Sequence, residues 1–226
     1  MQHIVLCPGS RSGPLALAIG ALSEYKDFDL ITSIDERSAA FLALGLSTVT
    51  GKATAVVTTS GTAVAHLLPA AIEADRSTQP LIFITADRPI RLKDCGSNQT
   101  VNQEDFLSSV CRSFQNGPKE GIHMLGSEDI ENIVQNSWNK AHHYPGPVHL
   151  NLPIEEPLNP TLFDQQVVNE QIKSEYQDTI QSPTDSLGTI NYQLGISTPR
   201  LDDDFGSLNS IYLIYQIIHC AYIGDI

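Results

Sequence analysis

Five short segments hold the residue types that bind anions and move protons. Ser10-Arg11-Ser12 follows a Pro8-Gly9 turn. An arginine flanked by serines, at a turn that opens a helix, offers hydroxyls, backbone N–H groups and a guanidinium to one anion. Asp35-Glu36-Arg37-Ser38 sets two carboxylates beside an arginine, and Thr58-Thr59-Ser60-Gly61-Thr62 gathers hydroxyls round a glycine. Asp87-Arg88-Pro89 carries a further guanidinium, and Cys95-Gly96-Ser97-Asn98-Gln99 presents a thiol and two amides. Each segment also has a plain structural reading. Asp35-Glu36 suits the acidic first turn of a helix, and Thr58–Thr62 an N-cap cluster. Asp87-Arg88 suits a surface ion pair and Asn98-Gln99 ordinary loop polarity. The Arg11 segment suits an ordinary strand-to-helix turn.

The elements around these segments bring them to one place. Apolar β-type runs fall at Ile4–Cys7, Leu30–Ile34, Ala53–Thr58, Leu81–Thr85 and Val148–Leu152. Helical spacing falls between them, at Gly13–Leu22, Arg37–Thr50 with Gly51 as its stop, Thr62–Ala74 and Asp129–His142 with Ser127 as N-cap. Strands alternating with helices imply right-handed βαβ units. The fold class is therefore α/β, a parallel sheet with helices on both faces. All five segments then follow strand ends, the edge where such sheets bind ligands. Several polar strand ends converging on one edge make a site where one alone would not.

Composition narrows the ligand. The 226-residue chain carries a net charge of -13, which argues against a nucleic-acid or anionic-membrane partner. The charge is uneven: residues 1–100 sum to -1 and residues 101–226 to -12. Six of the seven arginines precede residue 113, so a locally basic site for an acidic metabolite is compatible with the acidic total. Four cysteines without C-x-x-C spacing read as reduced thiols of a cytosol-like compartment. No signal pattern is visible at the start. The apolar tract Ile211–Ile223 is too short to span a bilayer and contains Gln216 and His219. His142-His143 reads as the exposed end of a helix, and no histidine pair has metal-ligand spacing. From Pro153 the chain becomes proline-punctuated, and residues 164–210 are polar and aperiodic, read as linker or disorder. The division expected is a domain over 1–160 and a linker or degenerate, truncated tail over 161–226.

PGSRSGPLALA, SIDERSAAFLALGL, VVTTSGTAVAHLLPAAIEA, ITADRP and DCGSNQT stand in that order. Together they resemble the N-terminal, pyrimidine-binding domain of thiamine-diphosphate enzymes. Among these the match is to the 2-succinyl-5-enolpyruvyl-6-hydroxy-3-cyclohexene-1-carboxylate synthase family, over roughly residues 3–160. The resemblance implies a reaction joining decarboxylated 2-oxoglutarate to isochorismate in menaquinone and phylloquinone biosynthesis. It implies thiamine diphosphate and Mg2+ as cofactors, two acidic small-molecule substrates, and a homodimer or complementing chain. The compartment implied is a cyanobacterial cytoplasm or a plastid stroma. Residue by residue, it implies that Glu36 hydrogen-bonds the cofactor's aminopyrimidine N1′, with its pKa raised by burial. Ser60, Gly61 and Thr62 are implied to lie against the pyrimidine, and Ser10, Arg11, Arg88, Asn98 and Gln99 to bind substrate. Arg37, beside Glu36, is a further candidate. His66 stands where the family commonly has Asn and reads as a buried helix histidine.

The departures lie at the two ends of the chain. The family's helix before the first strand is missing, and so is its Gly-Asp-Gly…Asn segment for the diphosphate and magnesium; Gly224-Asp225-Ile226 closes the sequence. The expectation is an incomplete synthase, inactive alone, with no metal ligands of its own. The alternative is a non-catalytic relic or interaction module of α/β fold. An acetolactate-synthase relative would not explain Ser10-Arg11-Ser12 together with Cys95–Gln99. A nucleotide-binding Rossmann domain lacks its G-x-G-x-x-G after the first strand.

Overall fold

The computed structural model describes residues 1–24, 28–159, 161–162, 165–167, 169–170 and 172–174. Its strands are β1 (His3–Leu6), β2 (Asp29–Thr32), β3 (Thr54–Thr58), β4 (Leu81–Asp87), β5 (Ser113–Asn116) and β6 (Pro147–Pro153). They form one sheet in the order β2-β1-β3-β4-β6-β5, with every pairing parallel. The chain moves from β1 outward to β2, then returns to place β3 on β1's other side. That reversal opens a crevice between β1 and β3 at the carboxyl edge.

Alternation along the strands builds two cores. Ile4, Leu6, Ala55, Val57, Ile82 and Ile84 face one side, covered by α1 (Gly13–Ser23) and α5 (Ser127–His143). Val5, Cys7, Val56, Leu81 and Phe83 face the other, under α2 (Glu36–Thr50), α3 (Thr62–Ala65) and α4 (Leu68–Arg76). The helices on both faces match the sequence reading. In α1 the buried Leu15, Ala18, Ile19 and Leu22 make one stripe, and Pro14 occupies the first turn, where its missing N–H costs nothing. In α2 the buried side is Ala39, Ala40, Ala43 and Ser47, small enough for the helix to lie close on β1 and β3. Gly51 ends it in a left-handed conformation, φ 69°.

Several expectations are corrected. The helix read over Thr62–Ala74 is two helices, broken at His66-Leu67. Pro69 stands in the first turn of α4, since deeper in a helix it would remove an N–H bond and crowd the preceding turn. His66, read as buried, is exposed at the end of α3. Gly126 rather than Ser127 is the N-cap of α5, and the Asp129 carboxylate accepts the Gly126 N–H at 3.2 Å. His142 is not a free helix end. Its Nε2 accepts the Ala53 N–H at 3.1 Å, its Nδ1 donates to the Trp138 carbonyl at 2.9 Å, and its ring lies 4.1 Å from Trp138. Strand β5 has no apolar run and was not foreseen. Residues 165–167, 169–170 and 172–174 are helical, and Val167 and Ile172 pack against the first core. The Ile211–Ile223 tract and most of the polar tail lie outside the described residues. Among the described residues no helix is long and apolar enough to cross a membrane.

Candidate active site

The loops after β1 and β3 meet over the crevice. Gly9 sits so near Thr59 that a Cβ there would lie 2.6 Å from the threonine side chain, so only glycine lets the loops approach this closely. Ser12 closes the first loop on itself. Its hydroxyl accepts the Gly9 N–H at 3.0 Å and donates to the Gly9 carbonyl at 3.1 Å.

Arg11 is 5% exposed. Its Nη1 donates to the Ile154 carbonyl at 3.0 Å and its Nη2 to Glu156 Oε1 at 2.9 Å, while its buried Nε has no partner among the described residues. Arg88 is half-buried, and its Nη1 donates to Ser60 Oγ at 2.6 Å and to the Gln99 carbonyl at 3.1 Å. Burial and, next, the charge of Arg11 hold its pKa below the usual guanidinium value. Two guanidinium groups thus stand within electrostatic reach of each other, a pairing that favours an anion between them.

Gln99 folds over the turn that follows β3. Its Nε2 donates to the Ser60 carbonyl at 2.9 Å. Gly61 has φ +83°, and a Cβ on it would meet Gln99 Cγ at 2.6 Å. Ser60 and Gly61, expected against the cofactor, are therefore in direct contact with Arg88 and Gln99, expected on substrate. Thr62 opens α3 with its side chain exposed. Ser10 and Asn98 are also exposed, and no hydrogen bond joins their side chains to the four among the described residues.

Glu36 stands apart from these contacts, as the first residue of α2. The structural task at the start of α2 falls to its neighbour: Asp35 caps the helix, accepting the Arg37 N–H at 3.0 Å and the Ser38 hydroxyl at 2.9 Å. These bonds hold the Asp35 carboxyl below its ordinary pKa, the Ser38 bond most of all. Glu36 is half-buried and makes no hydrogen bond or ion pair among the described residues. Its charge is felt at Cys7, at the end of β1. Burial pushes that thiol up to about 12, with Glu36 and then Asp35 adding to the shift. Arg37 is exposed and turned to helix capping through its backbone.

The sequence reading missed what lies beneath the site. On the second face, the strand positions beyond Phe83 turn polar: Thr85 pairs in register with Asn151, and His149 sits beside Phe83. Thr85 Oγ1 donates to Asn151 Oδ1 at 2.8 Å and so accepts from His149 Nε2, also at 2.8 Å. Asn151 Nδ2 donates to Asp87 Oδ2 and to Asn116 Oδ1. Lys93 Nζ bridges the buried Asp87 and Glu104. Gln103 joins this network to Gly61. Asp87 is accordingly a buried anchor rather than a surface ion pair. The available signal was His149 and Asn151 alternating with Val148, Leu150 and Leu152 inside one strand: two polar residues facing one way in a run otherwise made for burial. Among the described residues no group of three or more His, Cys, Asp or Glu could hold a metal ion.

Residues 1–109 match the family described as thiamine pyrophosphate enzyme, N-terminal TPP binding domain, a span that includes β1 to β4 and Gln103. A 2-succinyl-5-enolpyruvyl-6-hydroxy-3-cyclohexene-1-carboxylate synthase of Prochlorococcus marinus strain SARG is 56% identical over 202 residues, covering 89% of this chain and 35% of the relative. The synthase of the same name from P. marinus strain MIT 9303 is 63% identical over 168 residues, 74% of this chain and 29% of the relative. That of Synechococcus sp. strain WH7803 is 60% identical over 166 residues, with the same two shares. The chain belongs to this synthase family. It spans about a third of the length of the curated relatives it matches. The motifs that carry the family resemblance are the loops that meet at the carboxyl edge of the sheet.

Proposed function

We propose that residues 1–160 form the pyrimidine-side wall of a thiamine-diphosphate site in a synthase that joins decarboxylated 2-oxoglutarate to isochorismate. The observation that carries this reading is Glu36. It is a half-buried carboxylate at the start of α2 with no hydrogen bond or ion pair among the described residues, while the adjacent Asp35 does the capping. Such a group is placed to hold a proton or hydrogen bond at a ring nitrogen. When bound, thiamine diphosphate supplies the electron sink for decarboxylation and carbon–carbon bond formation. Glu36 would face its aminopyrimidine N1′, and Ser60, Gly61 and Thr62 would lie against the ring. Arg11 and Arg88 would grip substrate carboxylates, aided by Ser10, Asn98 and Gln99. Among the described residues no group of three or more His, Cys, Asp or Glu could hold a metal ion, so the ligands for Mg2+ and diphosphate would come from another segment or chain.

A second copy or a complementing chain is the partner proposed. Ile34 and Val49 are 94% and 87% exposed, and Phe41 and Leu42 are exposed on α2 between them. An apolar strip beginning two residues before Glu36 suits a subunit that closes the crevice. The cyanobacterial relatives favour a bacterial cytoplasm over a plastid stroma. One observation favours a non-catalytic module instead: Arg11 is already engaged by Glu156 and Ile154.

The test replaces the aligned segment of the P. marinus SARG synthase with the corresponding 202 residues of this chain. The chimera is expected to form product from both substrates, thiamine diphosphate and Mg2+. Glu36→Gln is expected to lower kcat by ~10²-fold or more with the fold intact, the range of a lost acid–base group. A chimera that folds but never turns over supports the non-catalytic module. Full activity of Glu36→Gln removes the role of that carboxylate.

A further inference from the structure

We infer that Gln103 is a positioning residue that fixes the Ser60-Gly61 turn against the loop carrying Arg88 and Gln99. The inference rests on the proposed synthase site, since it concerns what that site's walls must hold. Gln103 follows the DCGSNQT motif without belonging to it, and it is 1% exposed. Its side-chain amide is fully used. Oε1 accepts the Gly61 N–H at 2.8 Å, and Nε2 donates to the Ala86 carbonyl at 3.0 Å and to Asn151 Oδ1 at 2.7 Å. Two of these partners are backbone groups of fixed polarity, so the amide fits in one orientation only.

The bonds close a ring. From Gly61 they run through Gln103 to Asn151, from Asn151 Nδ2 to Asp87 Oδ2 at 2.8 Å, and from Asp87 Oδ1 to the Arg88 N–H at 2.7 Å. The Arg88 side chain returns to Ser60 Oγ at 2.6 Å. The ring ties together the ends of β3, β4 and β6, and Gln103 joins them from farther along the loop that begins with Arg88. With Gln103 removed, the side-chain hydrogen bonds left on the Ser60-Gly61 turn among the described residues are those of Arg88 and Gln99, two side chains that a ligand would also engage. A wall that can shift by an ångström loses reacting geometry before it loses binding.

Two substitutions separate positioning from packing. Gln103→Met keeps the length and removes every polar contact. Gln103→Glu, when ionised, faces the Ala86 carbonyl and Asn151 Oδ1 with no proton to give. When protonated it accepts from Gly61 and donates once, nearly as glutamine does. In the 226-residue chain, the Met variant is expected to speed amide exchange at Gly61 by about ten-fold or more while β4 and β6 amides stay protected. In the chimera, it is expected to lower kcat by ~10- to 100-fold with KM moving less than about three-fold. The Glu variant's deficit, taken as a ratio to the unsubstituted chimera, is expected to shrink as pH falls. Unchanged Gly61 exchange or unchanged kcat in the Met variant overturns the inference. So does a Glu-variant deficit that ignores pH, a result that stands even if the Met variant does not fold. An unsubstituted chimera without turnover counts against the synthase reading alone, and exchange at Gly61 then decides the anchoring by itself.

Discussion

Asp35 and Glu36 are adjacent carboxylates with opposite assignments, and the difference is geometric. Asp35 sits at the N-cap, where its oxygens reach the Arg37 N–H and the Ser38 hydroxyl. Glu36 is one residue further on, inside the helix, where its side chain cannot cap. From the residues alone both could read as the acidic first turn, and the family resemblance singled out Glu36. The cysteines divide in the same way. Burial pushes Cys7 and Cys111 up to about 12, so neither is a thiolate near neutral pH. Cys95 is exposed, its Sγ is 3.0 Å from Ser97 Oγ, and that contact lowers its pKa with lesser help from Arg91. Iodoacetamide at pH 7 is therefore expected to alkylate Cys95 ahead of Cys7 and Cys111, read by peptide mass spectrometry. Equal labelling of the three would contradict these environments.

The turns, more than the strands, decide where the side chains meet. Gly61 combines a positive φ with a neighbour that leaves no space for a Cβ. Gly61→Ala is expected to cost about 1–3 kcal/mol in urea unfolding, through backbone strain and displacement of Gln99. It is also expected to loosen the Ser60–Gln99 contact. A stability within about 0.5 kcal/mol of the unsubstituted chain would show that the turn can relax. Much of this was readable beforehand. Alternating apolar runs gave β1, β3, β4 and β6, and Gly51 marked the end of α2. Grouping five polar strand ends on one edge followed from the parallel topology. What stayed hidden depended on contacts distant in sequence. β5 is a polar edge strand held by β6, and α4 starts where Pro69 forbids continuation. Gln103 gains its meaning only from Gly61, 42 residues away, and Asn151, 48 away.

Across the whole molecule, one face of the sheet trades apolar packing for buried polar bonds at the end that bears the site. That exchange has a pH signature. His149 is neutral in the fold, with burial lowering its pKa to about 4 from 6.5. In the unfolded chain it takes a proton below about 6.5, so the unfolded state binds more protons between about 6.5 and about 4, and stability falls with pH there. The shift corresponds to about 3 kcal/mol at its full extent. Urea unfolding at pH 7 and pH 5 is expected to show about 2 kcal/mol of this loss, and His149→Gln a smaller one. An identical pH slope in both would mean the histidine is not buried neutral. In the proposed function, the polar layer and the two guanidinium groups support a site whose chemistry would turn on one carboxylate, that of Glu36. The most direct measurement is the rate at which the acidic ring proton of thiamine diphosphate, bound to the chimera, exchanges with D2O, compared with the Glu36→Gln chimera at saturating cofactor. A rate falling ~10²-fold or more in the variant, with the cofactor still bound, is the expected result. Equal rates would contradict the assignment of Glu36 and, with it, the reading of this crevice as the pyrimidine-side wall.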